Sequence, residues 1–466
     1  MKSSLSKKEI FENLPVPRAV AAMAIPTIIS QLINLIYNLA DSIFIGMTGD
    51  PNKTAAVTVV FTVFMMTVAF SNLFGIGGGS LMARLIGAKR EDDAKKVCAY
   101  SFYGAIVIAL LYSVLVLVLL DPILYLFGAK PETYDDARSY VLLVVVCGNV
   151  PVILSQTVAH LLRNAGYSRQ ASIGLSGGGI LNIILDPLFM FVLLPKGNEV
   201  FGAALATLLS NVGACIYLVI ILGRCSRRAP LSMSFKKAAK LPRTEQKELY
   251  SVGVPSGMLT ALFDVGNIFL NALMSAHGNI ELAAIGIVMK AERLPNAINI
   301  GLCQGMLPIV AYNYASGDHE RMHKVISNVR IYGLAIAAVC LILFEILAKQ
   351  IVGVFMNTGE GSTEDAVACI ALAAVFLQIR CCASIFQFLN YHTSFCMQAV
   401  GDGKDTLLHA IVRELAFYVP FMFLLNWLFG KYGLACALVA GEACGAVLAI
   451  LLFRRWKKKN HSLQKV

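Results

Sequence analysis

The stretch RAVAAMAIPTIISQLINLIYNLADSIFIGM, residues 18–47, decides the fold. No charged side chain lies between Arg18 and Asp41. A helix that crosses a bilayer needs about 20 predominantly apolar residues, so this stretch is long enough to span a membrane. The cationic segment before it, residues 1–18, precedes an apolar core that is too long for a signal peptide. The sequence therefore predicts a retained first membrane span.

The composition extends this prediction to the whole chain. Of 466 residues, 57% are hydrophobic and only 14% are charged, and the mean hydropathy is +0.70. A soluble domain of ordinary composition has roughly 25% charged residues. The apolar residues are enough for about a dozen spans of about 20 residues each. This balance excludes a soluble enzyme, a secreted disulfide scaffold and a disordered chain.

Twelve apolar segments follow one another with short connections, which predicts an all-α integral membrane protein. They lie near 18–47, 54–86, 95–120, 134–162, 168–194, 200–222, 247–276, 282–315, 323–349, 365–399, 405–429 and 433–453.

The Lys and Arg residues are distributed unequally between the two sides of these spans. We count 30 on the side of the termini and 6 on the other, with Lys290, Arg293 and Arg380 inside spans. Positive segments resist translocation, so both termini are predicted to be cytoplasmic and the chain to lie in the cytoplasmic membrane. The lipid bilayer is therefore the expected partner and accounts for the net charge of +11. No nucleic-acid partner is expected.

An internal repeat divides the chain into two halves. Pro26 and Pro255 are offset by 229 residues, and the run GAALA at 202–206 returns as GLACA at 433–437, offset by 231. A period of about 230 contains six spans, so the halves enter the membrane from the same side and enclose a cleft. The predicted units are a six-helix lobe at 1–223, a cytoplasmic linker at 224–246, and a six-helix lobe with a basic tail at 247–466.

Polar side chains interrupt the apolar helices of the first half. Asn34, Asn38 and Asp41 share one helical face, and Asn182 precedes Asp186 by one turn. Insertion of an ionisable residue into the membrane costs roughly 2.5–3.5 kcal/mol of free energy. Each such residue is therefore expected to have a function or a polar partner. By helix depth, Asp41, Asp186 and Thr207 all reach the outer half of the first lobe.

Two carboxylates with amide and hydroxyl partners in a low-dielectric cavity take up a proton or a small hard cation such as Na⁺. The alternative is a set of hydrogen bonds that only serve packing. Pro26, about four turns before Asp41, removes a backbone hydrogen bond and is a candidate hinge.

The second half is less regular. Asp264 lies inside a span, and Lys290 is a candidate partner for Asp264 or Glu292. The glycine-rich run at 75–79 is not followed by the Lys-Ser/Thr of a phosphate loop, and close helix packing explains it better. Without a nucleotide-binding motif, any transport would use an ion gradient.

Several blocks resemble the multidrug and toxic compound extrusion (MATE) family of transporters. They are GIGGG at 75–79 with GAK at 87–89, NIILDP at 182–187, GAALAT at 202–207, and QGMLP at 304–308 with YNY at 312–314. The resemblance implies two six-helix lobes around a central cleft and export of organic cations against inward H⁺ or Na⁺ flow. The acidic first lobe is most similar to the DinF-like branch. There, the ion site is built from counterparts of Asp41, Asn182, Asp186 and Thr207, and the first helix bends at a proline that matches Pro26.

The sequence thus predicts a secondary antiporter that acts as a monomer, is not an enzyme, and needs no cofactor beyond H⁺ or Na⁺. The predicted substrate path consists of polar residues and of apolar or sulfur-containing ones: Asn34, Tyr37, Asn38, Asp264, Met65, Met66, Phe70 and Met258. One alternative is a flippase for a lipid-linked precursor, which the cations in the second half would suit. Another is an integral-membrane enzyme acting on lipid, for which clustered histidines or paired acids near one interface are missing.

Overall fold

The computed structural model describes residues 9–356 and 364–463, and within these ranges the chain is helical without β-strands. We number its sixteen α-helices in chain order. In the first half they are α1 Val16–Gly46, α2 Pro51–Gly87, α3 Glu91–Val118, α4 Leu120–Leu126, α5 Pro131–Tyr140, α6 Asn149–Asn164, α7 Ser168–Pro187 and α8 Glu199–Cys225. The rest are α9 Phe235–Ala238, α10 Arg243–Ser275, α11 Asn279–Ser316, α12 His319–Met356, α13 Glu364–Cys381, α14 Ser384–Val400, α15 Gly403–Ile411 and α16 Val419–Leu463. Four π-helical segments complete the described structure: Glu9–Asn13, Val141–Cys147, Leu188–Leu193 and Val412–Tyr418.

The helices account for twelve membrane crossings among the described residues. Nine helical stretches are long and apolar enough to cross singly, and two further pairs, α5 with α6 and α13 with α14, cross together with a bend of 46°. The stretch Gly403–Lys457 has 55 residues and breaks at Gly430, where φ is 58°, so it crosses twice. Nine, two and one further crossing make twelve, as predicted from the sequence, whereas the two bends were not predicted.

Large apolar side chains cover the outside of this helical body. Leu111 is 61% exposed, Val118 73% and Trp427 82%. Such a surface is stable only against lipid, because in water it would be a large aggregation-prone patch.

Three of the arginines that the sequence analysis assigned to the inner side are buried within the protein. Arg84, Arg163 and Arg413 are 8%, 2% and 2% exposed. Without them the count falls from 30 to 27 against 6, so the charge asymmetry persists. We call the side that holds Glu9 and Leu463, the first and last described residues, the inner side.

One of the four hydrophobic clusters lies wholly in the first half, a second lies mainly there but includes Leu249 of α10, and a third is formed by helices of the second half. The fourth lies between the halves, where α1 packs on α11. Close beside it, α2 packs along α10. These two pairs are the principal contacts between the lobes.

Glycines allow the lobes to touch through their backbones at these crossings. A Cβ atom on Gly77 of α2 would lie 2.6 Å from the carbonyl oxygen of Leu249 and 2.7 Å from Cα of Gly253, both on α10. A Cβ on Gly301 of α11 would lie 2.7 Å from Cα of Ile28 on α1. Gly77 is ten residues from the inner end of α2 at Gly87, so the lobes are in close contact in the inner half.

Candidate functional site

Asn182, Asp186 and Thr207 meet where α7 packs against α8. The side-chain amide of Asn182 donates one hydrogen bond to Oδ1 of Asp186, at 3.0 Å, and another to Oγ1 of Thr207, at 3.3 Å. Asp186 is fully buried and Asn182 is 2% exposed. The one-turn spacing along α7 thus places the amide and the carboxylate on a common face, as the sequence indicated.

Asp41 approaches this group from α1, and Tyr140 at the end of α5 connects the two. The Tyr140 hydroxyl lies 3.4 Å from Oδ2 of Asp41 and donates to it. Tyr140 and Thr207 line the same cavity as Asp41, and negative charges on Asp41 and Asp186 would repel each other through space. The structure therefore brings together all four residues predicted to bind the coupling ion. Tyr140 was missed, because nothing in its sequence surroundings distinguishes it from other aromatic residues of an apolar run.

Three oxygen atoms of this group are buried and accept no hydrogen bond from the described residues. They are Oδ1 of Asp41, Oδ1 of Asn182 and Oδ2 of Asp186. Neither carboxylate forms an ion pair with a described Lys, Arg or His side chain. Buried acceptors without donors are costly, and oxygen-only donor sets suit a proton or a hard cation such as Na⁺.

A cavity of about 190 Å³ lies beside Asp41 and extends to the second lobe. Its walls combine polar, aromatic and cationic side chains: Leu35, Tyr37, Asn38, Leu39, Asp41, Ser42, Val57, Thr58, Phe61, Phe64, Tyr140, Val144, Thr207, Lys290 and Arg293. A smaller pocket of about 20 Å³, which shares Tyr37 and Thr207 with the larger cavity, is also lined by Asn34 and Asn182. Residues of the predicted polar path, Asn34, Tyr37 and Asn38, thus line one or both of these spaces.

The predicted apolar contacts are placed differently. Met65, Met66, Phe70 and Met258 do not line the 190 Å³ cavity. Met66 and Phe70 pack against the apolar core of the first lobe, and the Phe70 ring stacks at a tilt 5.1 Å from the ring of Tyr112. One side of α2 faces its own lobe, and the other side, which carries Phe61 and Phe64, faces the cavity. Helical periodicity alone did not show which side was which.

In the second lobe, the predicted pairing of Lys290 with Glu292 is wrong. The guanidinium of Arg380 holds Glu292 through two hydrogen bonds of 2.7 and 2.8 Å. Arg380 forms the better pair because its planar group matches both carboxylate oxygens. Asp264 does not line the cavity and interacts with Arg293 only through space.

A second buried polar network, in the second lobe, was not foreseen. Asn390 donates to Oε2 of Glu442 at 2.6 Å, Arg413 donates to Oε1 of Glu442 at 2.7 Å, and Nε2 of His409 lies 3.1 Å from Oδ1 of Asn390. All four side chains are at most 3% exposed. The sequence feature that could have indicated this network is the presence of Arg413 and Glu442 in two consecutive predicted spans of the second half.

Helix α1 continues without interruption through Pro26. Hydroxyl groups surround the turn before it, since Thr27 and Ser168 donate to the carbonyl oxygen of Met23 at 2.8 and 2.7 Å. Such side-chain donors stabilise a proline-containing helix in a membrane. The role of Pro26 as a hinge stays a prediction.

Comparison with known proteins supports the same fold and family. The MatE family model matches residues 26–188 and 255–428, so the matched blocks begin 229 residues apart, as do Pro26 and Pro255 in the sequence repeat. Multidrug export protein MepA of Staphylococcus saprophyticus is 30% identical over 443 residues, which is 95% of this chain and 94% of that protein. MepA of Staphylococcus aureus is similar to the same extent.

Solved structures superimpose over the full length of this chain and of the neighbours. A MATE transporter in complex with MaL6 gives a TM-score of 0.90 at 23% identity, with 100% of each chain covered. The outward-facing conformation of a multidrug resistance MATE transporter of the MOP superfamily gives 0.89 at 23% identity, again covering 100% of each chain. The two-lobe fold with twelve membrane crossings, the full-length relatives and the family match agree: this chain belongs to the MatE family of multidrug transporters and is not an enzyme.

Proposed function

We propose that this chain is an antiporter that exports amphipathic organic cations and related drugs from the cell in exchange for H⁺ or Na⁺. The observation that carries the proposal is the meeting of three buried oxygen atoms without donors, from Asp41, Asn182 and Asp186, beside a cavity between the lobes. In the proposal, Asp41 and Asp186 hold the coupling ion while Asn182 and Thr207 serve as neutral ligands.

Charge explains how binding at this site would drive transport. Two carboxylates close together in a low-dielectric region repel each other, and a bound proton or Na⁺ relieves that repulsion. Because Asp41 also forms part of the cavity wall, ion binding removes a negative charge that a cationic drug would use. The ion and the drug then lower each other's affinity by the same factor, as exchange requires.

Alternating access would come from the contacts between lobes. The inner half is closed by backbone packing of α2 on α10, whereas the cavity with Asp41 lies toward the outer half. We further propose that the chain lies in the cytoplasmic membrane with both termini in the cytoplasm. We also propose that one chain is the working unit, because it supplies all four proposed ion ligands and the lining of the cavity.

The test is transport of ethidium in vesicles that contain purified protein, with pH and Na⁺ gradients imposed separately. Asp41→Asn and Asp186→Asn should each abolish transport driven by the effective gradient, because Asn carries no titratable or strongly cation-binding group. Asp135→Asn is the matched control, since Asp135 is an exposed acid on α5 outside the site. Transport by Asp41→Asn and Asp186→Asn at the wild-type rate under either gradient would contradict the assignment.

A further inference from the structure

We propose that Lys290 and Arg293 form an anion-binding subsite in the cavity, so that the preferred cargo carries an acidic group as well as a cationic one. This inference deepens the proposed function and rests on it for the transport step. The acidic group is a carboxylate or phosphate, carried by a soluble amphiphile or by a lipid headgroup.

The first support is that, within the part of the chain that the structure describes, these two cations lack ion-pair and hydrogen-bond partners. Lys290 and Arg293 lie one turn apart on α11, line the cavity and are exposed to it. Among the described residues, neither side chain forms an ion pair or a hydrogen bond with a protein group. The guanidinium of Arg293 lies 5.1 Å from the centre of the Phe61 ring, above its face, which leaves its donor edge free.

The second support is that both acids of α11 are already paired with other cations. Glu292, which lies between the two cations in sequence, accepts both of its hydrogen bonds from Arg380. Glu281 on the same helix pairs with Lys431 at 2.9 Å. Asp264 attracts Arg293 through space but does not form an ion pair with it in the described structure.

Two neighbouring cations without ion-pair partners are energetically unfavourable at membrane depth. Like charges one turn apart on a helix repel each other, and a charge at membrane depth is disfavoured unless it is paired or faces a wet cavity. An anion in the cavity would neutralise both side chains. A guanidinium beside an ammonium offers several donors to one carboxylate or phosphate.

The remaining walls define the rest of the ligand. Asp41, Tyr37 and Asn38 lie on the wall that the first lobe contributes, and Phe61 and Phe64 add aromatic surface. A cationic group of the ligand would lie near Asp41 and its apolar body against the aromatic rings, while its acidic group reaches Lys290 and Arg293. Only the cationic group competes with the coupling ion at Asp41, so the acidic group adds affinity without abolishing exchange.

The test uses two fluorescent dyes that differ only at the acidic group. Rhodamine 110 has a free carboxylate, and rhodamine 123 is its methyl ester. Binding of each dye to purified protein in phosphatidylcholine nanodiscs is measured by fluorescence anisotropy. The double variant Lys290→Gln/Arg293→Gln should bind rhodamine 110 at least about tenfold more weakly than wild type, which is the effect of losing one charge-assisted hydrogen bond. Its affinity for rhodamine 123 should change less than about twofold.

Matched variants separate this role from a purely structural one. Lys349→Gln removes an exposed cation that does not line the cavity and should change neither affinity. Lys290→Arg keeps the charge and should bind rhodamine 110 within about threefold of wild type. Unchanged rhodamine 110 affinity in the double variant, or an equal loss for both dyes, would overturn the inference.

The source of the anion is distinguished by adding phosphatidylglycerol to the nanodiscs. If that lipid weakens rhodamine 110 binding to wild type but not to the double variant, a lipid headgroup occupies the subsite. If it has no effect on either protein, the acidic group belongs to the soluble cargo. A different result would refute the proposed function alone. In that case, wild-type vesicles transport neither dye under either ion gradient, although the carboxylate-dependent binding is observed.

Discussion

A single methyl group at Gly77 is expected to shift the protein away from the conformation described here. Its Cβ would lie 2.6 Å from the carbonyl oxygen of Leu249, whereas ordinary contact begins at 3.4 Å. Helices α2 and α10 must therefore separate by about 0.8 Å, the difference between these two distances. Overpacking of this kind costs roughly 1–3 kcal/mol. The cost applies only while the inner half is closed, so the ratio of closed to open forms should fall by about 5- to 150-fold.

Hydrogen exchange measured by mass spectrometry is a suitable readout, since opening admits water to the backbone at this crossing. In Gly77→Ala, peptides from residues 73–88 and 249–257 should exchange faster than in wild type, and ion-driven export should slow. Gly286→Ala on α11 is the matched control because nothing lies within 4 Å of the added methyl group. If the two variants exchange alike at residues 249–257, the glycine crossing does not control closure of the inner half.

Two further predictions concern buried polar contacts. Glu292→Gln should destabilise the protein by about 3–5 kcal/mol because it leaves the guanidinium of Arg380 buried and unpaired, whereas Glu292→Leu/Arg380→Met should be closer to wild type. Thermal unfolding of purified protein in detergent measures both, and equal melting temperatures for wild type and Glu292→Gln would refute the expectation. Tyr140→Phe removes a hydrogen bond of 3.4 Å to Asp41 and should change the ion concentration for half-maximal transport by about 10- to 150-fold, because a hydrogen bond to a charged carboxylate contributes about 1.5–3 kcal/mol. Loss of all transport in Tyr140→Phe would instead give that hydroxyl a direct role in coupling.

The local composition of the chain was sufficient to predict the spans. The first predicted segment, 18–47, corresponds to α1 at Val16–Gly46, and the last two, 405–429 and 433–453, flank the break at Gly430. These features could be predicted because bilayer thickness fixes how many apolar residues a span needs. The bends within α5–α6 and α13–α14 could not, because composition hardly changes where they occur.

The candidate ion site was partly predictable. Asn182 and Asp186 are one turn apart, so helical geometry alone places them together. Their proximity to Asp41 followed from estimated depth and from the family resemblance, whereas the contribution of Tyr140 depends on how α5 packs against α1 and α8. The pairing of Glu292 with Arg380 joins residues 88 positions apart, which no local pattern specifies.

By itself, the sequence determined that this protein resides in a membrane, crosses it twelve times in two related halves, and carries acids where lipid would exclude them. Those properties depend on hydrophobicity, period and charge count, which are readable along one chain. Only the tertiary structure decided which charges neutralise one another and which remain free. It did so because ion pairs and cavities form between helices that are distant in sequence, and a guanidinium selects its carboxylate by geometry. That selection leaves Lys290 and Arg293 facing the same cavity as Asp41.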